Sequence, residues 1–316
     1  MSLITVNRAI LHSVWPNDLG RASQQTKNMQ VRNSWRFVPE DFDTLCDWAT
    51  IEDDEGDSTE GRSIKHLVYD SSVLPEGQVG GPFVVTVVLQ GFLGESSLAT
   101  LGNWRGKEAD APHAVHCLKL HSGGCDVAFS AQRRVLDDLR HLIHMQVGGD
   151  VRVVDDDPNT ISLRRAVFSK VRATTGQAPG ILLNDTNDPF KAARKIATRW
   201  RIDHVIDTSV RRPNGANMRV AADVLKTGDF VEVSVAANIR LMCSRKRRET
   251  VVEFCMYDVV RLWTAKEAKV RYARTDNAPE NVAGPSRKPQ VARIGSVQYG
   301  MPVPEEAMML DGPAAE

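Results

Sequence analysis

Gly-Asp-Phe-Val-Glu-Val-Ser-Val at residues 228–235 and Glu-Thr-Val-Val-Glu-Phe-Cys-Met-Tyr-Asp-Val-Val-Arg-Leu-Trp at residues 249–263 are rich in β-branched and aromatic residues. This composition favours β-strands. The segment that joins them ends in the densest cationic run of the chain, Arg245, Lys246, Arg247 and Arg248. The sequence therefore predicts a β-hairpin over residues 228–263 with a basic tip.

The order of a Gly-Asp turn, a strand, a loop with a basic tip and a long strand is similar to the β-hairpins of OB-like and related small barrels. The resemblance covers residues 228–263 and rests on features that many barrels share. It implies a small β-barrel-like unit in the C-terminal half. It transfers no functional residue to this chain.

The composition is that of a globular protein: at 316 residues, 42% of them hydrophobic, the chain is long enough for one large or two medium cores. The longest apolar run, residues 83–89, is far shorter than the roughly 20 residues of a membrane-spanning helix. Five dispersed cysteines argue against a disulfide framework, and the N-terminus lacks the features of a secretory signal. We therefore expect an intracellular protein, in the cytoplasm or nucleus, without a membrane partner.

The net charge of zero hides a strong asymmetry. Residues 1–150 hold 13 Lys and Arg against 20 Asp and Glu, whereas residues 160–274 hold 23 against 11, a balance of +12. The tail contains six prolines and few apolar clusters, which favours disorder. We therefore expect an acidic α+β region at 1–150, a basic α+β region at 151–275 that contains the hairpin, and a disordered tail at 276–316.

The predicted fold class is α+β, with mainly antiparallel strands and two amphipathic helices. Besides the hairpin, strands are expected at residues 34–38, 64–69, 83–89, 114–120, 151–154 and 161–171. One helix is expected at about 130–145, with Ser130 as its N-cap and Gly148-Gly149 at its end.

A second helix is expected at about 188–202, because Asn187-Asp188-Pro189 resembles a helix start. Phe190 belongs to the apolar stripe predicted for this helix. The rest of its surface is basic and includes Lys191, Arg194, Lys195 and Arg199.

A cluster of nitrogen and sulfur donors lies between residues 113 and 125, and Zn²⁺ accepts such ligands. It consists of His113, His116, Cys117, His121 and Cys125. The spacing matches no standard zinc finger, and neighbours on a strand, such as His116 and Cys117, point to opposite faces. We favour a structural interpretation with Cys117 in the core and the histidines at the surface. No other cofactor is expected.

Catalysis is less favoured than binding. Cys125 follows Gly123-Gly124 and precedes a helix, a position that stabilises a thiolate. The chain nevertheless lacks G-x-S-x-G, H-E-x-x-H, G-x-x-x-x-G-K-[ST] and G-x-G-x-x-G. A Cys/His-dependent enzyme is therefore kept only as the third hypothesis.

Nucleic-acid binding is the leading hypothesis, with single-stranded or sequence-independent recognition preferred, since Lys and Arg neutralise phosphates and aromatic rings stack on bases. The expected contacts are Arg245, Lys246, Arg247, Arg248, Lys191, Arg194, Lys195, Arg199, Arg211 and Arg212. The second hypothesis is a homo-oligomer in which the acidic half of one copy meets the basic half of another. The acidic block 52–60 is expected to be a solvated loop, with masking of the basic half as its functional alternative.

Overall fold

The computed structural model describes residues 1–20, 34–53, 62–74, 83–152, 157, 159–171, 180–181, 183–244, 247–276, 292–294 and 297–299. The side chains of residues 34, 62–64, 150–152, 243–244, 247–248, 274–276, 292–294 and 297–299 are not described. Two compact units are distinguished, residues 1–276 and residues 277–316.

The first unit contains five described α-helices and fourteen described strands. The helices are α1 (Leu11–Val14), α2 (Phe42–Trp48), α3 (Asp126–Val147), α4 (Ala192–Lys195) and α5 (Ala265–Asp276). The strands are β1 (Thr5–Val6), β2 (Ala9–Ile10), β3 (Ala49–Asp53), β4 (Arg62–Tyr69), β5 (Thr86–Ser97), β6 (Val115–His121), β7 (Asp150–Arg152), β8 (Thr160–Ala166), β9 (Phe168–Lys170), β10 (Trp200–Ile202), β11 (Asp207–Arg211), β12 (Asn217–Arg219), β13 (Phe230–Ser244) and β14 (Arg247–Trp263).

The predicted hairpin is the centre of the main sheet. Strands β13 and β14 pair antiparallel along their whole described length, from Phe230 opposite Trp263 to Ser244 opposite Arg247. The described sheet runs in the order β12-β11-β14-β13-β5-β6-β8. Farther towards the tip, β13 pairs with β4, and β14 pairs in parallel with β7. Strands of both the acidic and the basic sequence regions thus share one sheet, and the division at residue 150 stays a prediction about charge along the sequence.

The α+β class and the mostly antiparallel pairing are confirmed. The small barrel is not confirmed, because the described strands form no closed sheet. Strand β8 does approach β14, where Arg165 Nη1 donates a hydrogen bond to the carbonyl oxygen of Met256 at 3.0 Å. No ladder joins these two strands within the described residues.

Several element predictions change in detail. The helix expected at 130–145 is α3, but it begins at Asp126 with Cys125 as its N-cap, so Ser130 lies inside it. Residues 34–36 form a 3-10 helix instead of a strand. Helix α5 was not predicted, although Thr264 and Glu267 form the reciprocal hydrogen bonds of a capping box at its start.

The second unit is described only as a short hairpin. Strands β15 (Ala292–Ile294) and β16 (Val297–Tyr299) pair antiparallel. The remainder of the predicted tail, after α5 ends at Asp276, lies outside the described residues. Among the described helices of the chain, none combines the length and apolar character that crossing a membrane requires.

Two hydrophobic clusters are present in the first unit. The large one packs α3 against the sheet and includes Leu89, Leu139 and Phe230. The smaller one holds together the segments that follow β5 and β8; its buried members are Ala111, Ala114, Val167, Phe168, Ala193, Ile196 and Ile202. This second cluster anchors α4 and β10, which flank the candidate site.

A buried ionic network fixes the hairpin to three other elements. Glu232 of β13 is 8% exposed, and its Oε1 accepts a hydrogen bond from Arg211 Nη2 at 2.6 Å. Its Oε2 lies 2.8 Å from His12 Nε2 and accepts from Gln90 Nε2 at 2.9 Å. Burial alone would raise the pKa of Glu232, but the hydrogen bond from His12 and the charge of Arg211 outweigh it and lower the pKa to about 2.

Replacing Glu232 with Gln should destabilise the fold by about 3–5 kcal/mol, because the buried Arg211 loses its counter-charge. Urea denaturation at neutral pH measures this loss. Since the folded pKa of Glu232 is lower than the unfolded value of 4.5, its stabilisation is complete above pH 4.5 and is lost as the pH falls towards about 2. The difference in free energy of unfolding between wild type and Glu232→Gln should therefore decrease as the pH falls over this interval.

The matched control is Glu253→Gln, which removes a more exposed carboxylate that pairs with Arg240 across the same hairpin. Surface pairs of this kind contribute at most about 1 kcal/mol. Equal unfolding midpoints for Glu232→Gln and wild type would contradict the role assigned to the network.

Candidate nucleic-acid interface

Residues 184–199 form a loop, here called the aromatic loop, that is held by its own polar side chains. Asn184 Oδ1 accepts hydrogen bonds from the backbone N–H groups of Thr186 and Asn187 at 2.9 and 3.0 Å. Asp188, fully buried, accepts from the N–H groups of Ala192 and Arg194 at 2.9 and 3.0 Å. Such side-chain bonds compete with regular helix formation and stabilise turns.

The helix predicted at 188–202 is therefore wrong. Only the single turn α4 is helical, since Lys191 adopts a left-handed φ of 53° that a helix interior does not accommodate. Strand β10 then begins at Trp200 and pairs with β9. The Asn-Asp-Pro sequence marks a capped turn in this context instead of the start of a long helix.

Phe190 lies near the middle of this loop in sequence, with 86% of its surface exposed. The sequence predicts Phe190 in the apolar stripe of a helix, and this prediction is wrong, because Phe190 lies in a loop and is exposed. Phenylalanine is among the residue types most often buried, so an almost fully exposed ring on an ordered loop is unusual. Lys191 and Lys195, both exposed, lie on the same loop.

The other predicted cations of the loop are held by acids. Arg194 Nη2 lies 2.8 Å from Asp185 Oδ1, and Arg199 Nη2 lies 2.6 Å from Glu108 Oε2. The Arg199 side chain is 69% exposed despite this pair. The loop therefore carries one exposed apolar ring and four basic residues, of which Arg194 and Arg199 are paired with acids.

Arg211 and Arg212 are neighbours in sequence but differ in role. The Arg211 side chain is 2% exposed and is committed to Glu232, so it is not accessible to a phosphate. Arg212 is exposed, and its Nη2 lies 2.8 Å from Met218 Sδ. Only Arg212 of the two remains available at the surface.

The last described residues of β13, next to the basic run 245–248, lie beyond the end of β5 that is opposite the aromatic loop. Arg245 and Lys246 are outside the described residues, and only the backbone is described for Arg247 and Arg248. Strand β13 pairs with β5 as far as Ala236 and then runs on to Ser244, a distance of about 26 Å. The aromatic loop instead packs beyond the opposite end of β5, in the second hydrophobic cluster.

The strands that precede and follow the acidic block 52–60 join the sheet near the last described residues of β13. Residues 54–60 lie outside the described residues, but the strands on either side of them are described. Asp53 pairs with Lys65, and Arg62 pairs with Met242 near the end of β13. Of the acidic block, the described Glu52 and Asp53 lie in β3, which pairs with β4, and β4 in turn pairs with the last residues of β13.

The candidate zinc ligands form no metal site among the described side chains, and Cys117 is only partly buried instead of lying in the core. His116 is fully buried, contrary to the expected surface position, and its Nε2 lies 3.2 Å from the carbonyl oxygen of Thr100. Burial lowers the pKa of His116. The described side chains contain no group of three or more His, Cys, Asp or Glu that could hold a metal ion, and His113, Cys117, His121 and Cys125 form none.

Cys125 does not have the environment of an activated nucleophile. Burial raises the pKa of its thiol to about 11, and the nearby charge of Asp126 adds to this effect. The thiol is therefore protonated at neutral pH, whereas a catalytic cysteine needs a thiolate. The expectation that the helix start would stabilise the thiolate is wrong.

Comparisons with known proteins give only distant structural likenesses. No protein-family model and no curated protein significantly matches the chain. A C-terminal truncation of the single-stranded DNA-binding protein from bacteriophage Enc34 aligns with a TM-score of 0.31 and 8% identity over 66% of this chain and 92% of that chain. The same protein in complex with ssDNA gives a TM-score of 0.30 at 9% identity, over 66% and 93% of the two chains.

Gp2.5, a single-stranded DNA-binding protein encoded by bacteriophage T7, aligns with a TM-score of 0.29 and 13% identity over 64% of this chain and 100% of that chain. TM-scores of this size are too low to support a shared fold or a shared function. The function proposed below therefore rests on the residues of this chain.

Replacing Asp188 with Ala should loosen the aromatic loop, because two backbone N–H groups lose their acceptor. Loss of a comparable capping side chain costs about 0.5–2 kcal/mol. Hydrogen exchange measured by mass spectrometry should be faster over residues 190–196 in the variant. Asp185→Asn, which removes only the exposed partner of Arg194, is the matched control and should leave exchange in this segment near the wild-type rate.

Proposed function

We propose that this protein binds nucleic acid through the aromatic loop, with single-stranded or sequence-independent recognition. The observation that carries the proposal is Phe190, which is 86% exposed on a loop held by hydrogen bonds to Asn184 and Asp188. The exposed Lys191 and Lys195 follow it in the same loop. Stacking of a base on an aromatic ring contributes about 1–3 kcal/mol and does not depend on the identity of the base.

The preference for a single strand follows from access to the base. In a duplex the faces of each base are covered by its neighbours, whereas an unpaired base can lie flat on the Phe190 ring. Lys191 and Lys195 would then neutralise the phosphates on either side of the stacked base. A rigid loop favours this mode, because little conformational freedom is lost on binding.

Arg194 and Arg199 can join the interface by exchanging partners. Their acids, Asp185 and Glu108, form surface pairs, and such pairs contribute at most about 1 kcal/mol. Replacing Asp185 or Glu108 with a phosphate as the partner of the arginine therefore costs little free energy. Arg212 offers a further exposed contact, and Arg245, Lys246, Arg247 and Arg248 are proposed as a separate phosphate contact for a longer strand.

Phe190→Ala should weaken binding of a fluorescently labelled single-stranded oligonucleotide of about 16 nucleotides. The expected loss of 1–3 kcal/mol corresponds to a roughly 5- to 150-fold increase in Kd. Fluorescence polarisation measures the change, and Phe190→Trp should retain the wild-type affinity because it keeps an aromatic ring.

Val127→Ala is the matched control, since Val127 is also an exposed apolar residue, 69% accessible, but lies on α3. Its affinity should equal that of wild type. Wild-type affinity in Phe190→Ala would refute the proposed site. Salt-sensitive oligomers that contain no nucleic acid would instead favour the self-association hypothesis.

The salt dependence should identify which cations touch phosphates. For single strands the slope of log K against log salt is about −0.7 per neutralised phosphate, so Lys191→Gln/Lys195→Gln should flatten it by about 1.4. Lys266→Gln/Lys269→Gln, which changes two exposed lysines on α5, is the matched control and should leave the slope unchanged.

Charge reversal of residues 245–248 should weaken binding and also flatten the slope. Unchanged affinity would remove these four residues from the proposed interface.

A further inference from the structure

Tyr257 lies at a β-bulge in the long hairpin. Ser234 pairs with Asp258 and Val235 pairs with Met256, so the register skips Tyr257. A bulge adds one unpaired residue to a strand and turns its side chain away from the regular alternation. Met256 points into the core with no exposure, while Tyr257 is 39% exposed.

One face of the Tyr257 ring is covered by a cation. The guanidinium carbon of Arg165 lies 4.2 Å from the ring centroid, and the same side chain is fixed by its hydrogen bond to the Met256 carbonyl. Arg165 is only 8% exposed, so the ring is backed by a rigid, buried group. With 39% of its surface exposed, the Tyr257 ring remains partly accessible to a ligand.

The chain connects this ring to the aromatic loop by a short path. Strand β10 directly follows the aromatic loop and ends at Ile202, and the exposed His204 lies two residues later. Partial burial lowers the pKa of His204, and the charge of Arg165 adds to the lowering. Strand β11 then begins at Asp207, opposite Asp258, the residue after Tyr257.

We propose that Tyr257 is a second stacking platform for an unpaired base, so that one strand runs from Phe190 across His204 to Tyr257. This inference rests on the proposed function and extends it to a second position. The Arg165 guanidinium holds the ring from behind and supplies positive charge beneath the stacked base, an arrangement in which cation–π attraction adds to stacking. A strand too short to reach both rings uses only one of them.

Tyr257→Leu, which keeps an apolar side chain but removes the ring, tests the inference. Single-stranded oligonucleotides of about 4 and about 16 nucleotides span the usual range of site sizes. The Kd of the longer oligonucleotide should rise about 5-fold or more in Tyr257→Leu, whereas Tyr257→Phe should bind like wild type. The shorter oligonucleotide should lose less affinity than the longer one.

A second measurement keeps the test decisive if Tyr257→Leu does not fold. Irradiation of the wild-type complex with an oligonucleotide that carries 5-iodouracil should crosslink the peptide that contains Tyr257, as detected by mass spectrometry. Absence of this crosslink, or wild-type affinity of a folded Tyr257→Leu for the longer oligonucleotide, overturns the inference. If those results accompany weaker binding by Phe190→Ala, the proposed function stands; if wild type binds no oligonucleotide, the proposed function fails.

Discussion

The carboxylate of Glu232 is removed from water and must therefore be paired. The side chains that pair with it hold the surrounding elements in place. A buried charge without a partner costs several kcal/mol, and here Arg211, His12 and Gln90 meet the need. These partners come from β11, α1 and β5, so one side chain of the hairpin locates three separate segments. Because β11 follows the aromatic loop and β10 closely in sequence, fixing β11 also restricts where the loop can lie.

Basic residues in this chain serve two different purposes, which a sum of charges does not separate. Arg211 and Arg165 are buried and hold β11 and β8 to the hairpin. Lys191 and Lys195 are exposed beside an apolar ring. The balance of +12 over residues 160–274 counts these groups alike, although only the exposed cations can exchange solvent for phosphate.

The strength of the local pattern decided which elements could be predicted from sequence. The hairpin and α3 could be predicted because each has a continuous pattern of apolar residues, and tertiary packing favours the same elements. The prediction of a helix at the aromatic loop was wrong because Asn187-Asp188-Pro189 suits both a helix start and a side-chain-capped turn. Only the left-handed conformation of Lys191 distinguishes the two. The exposure of Phe190 and the bulge at Tyr257 depend on pairing with distant strands, which leaves no local signal. The Thr264–Glu267 capping box was present and would have revealed α5.

The exposed ring of Phe190 also has a calorimetric consequence. Water around an apolar surface has a raised heat capacity, and this water returns to the bulk solvent when binding covers the surface, so the heat capacity falls. A stacked base would therefore give association a negative heat-capacity change, in addition to the release of counterions from phosphates. Purely electrostatic attachment to the lysines would lack this contribution, so the temperature dependence of the binding enthalpy separates contact with the bases from contact with the backbone alone.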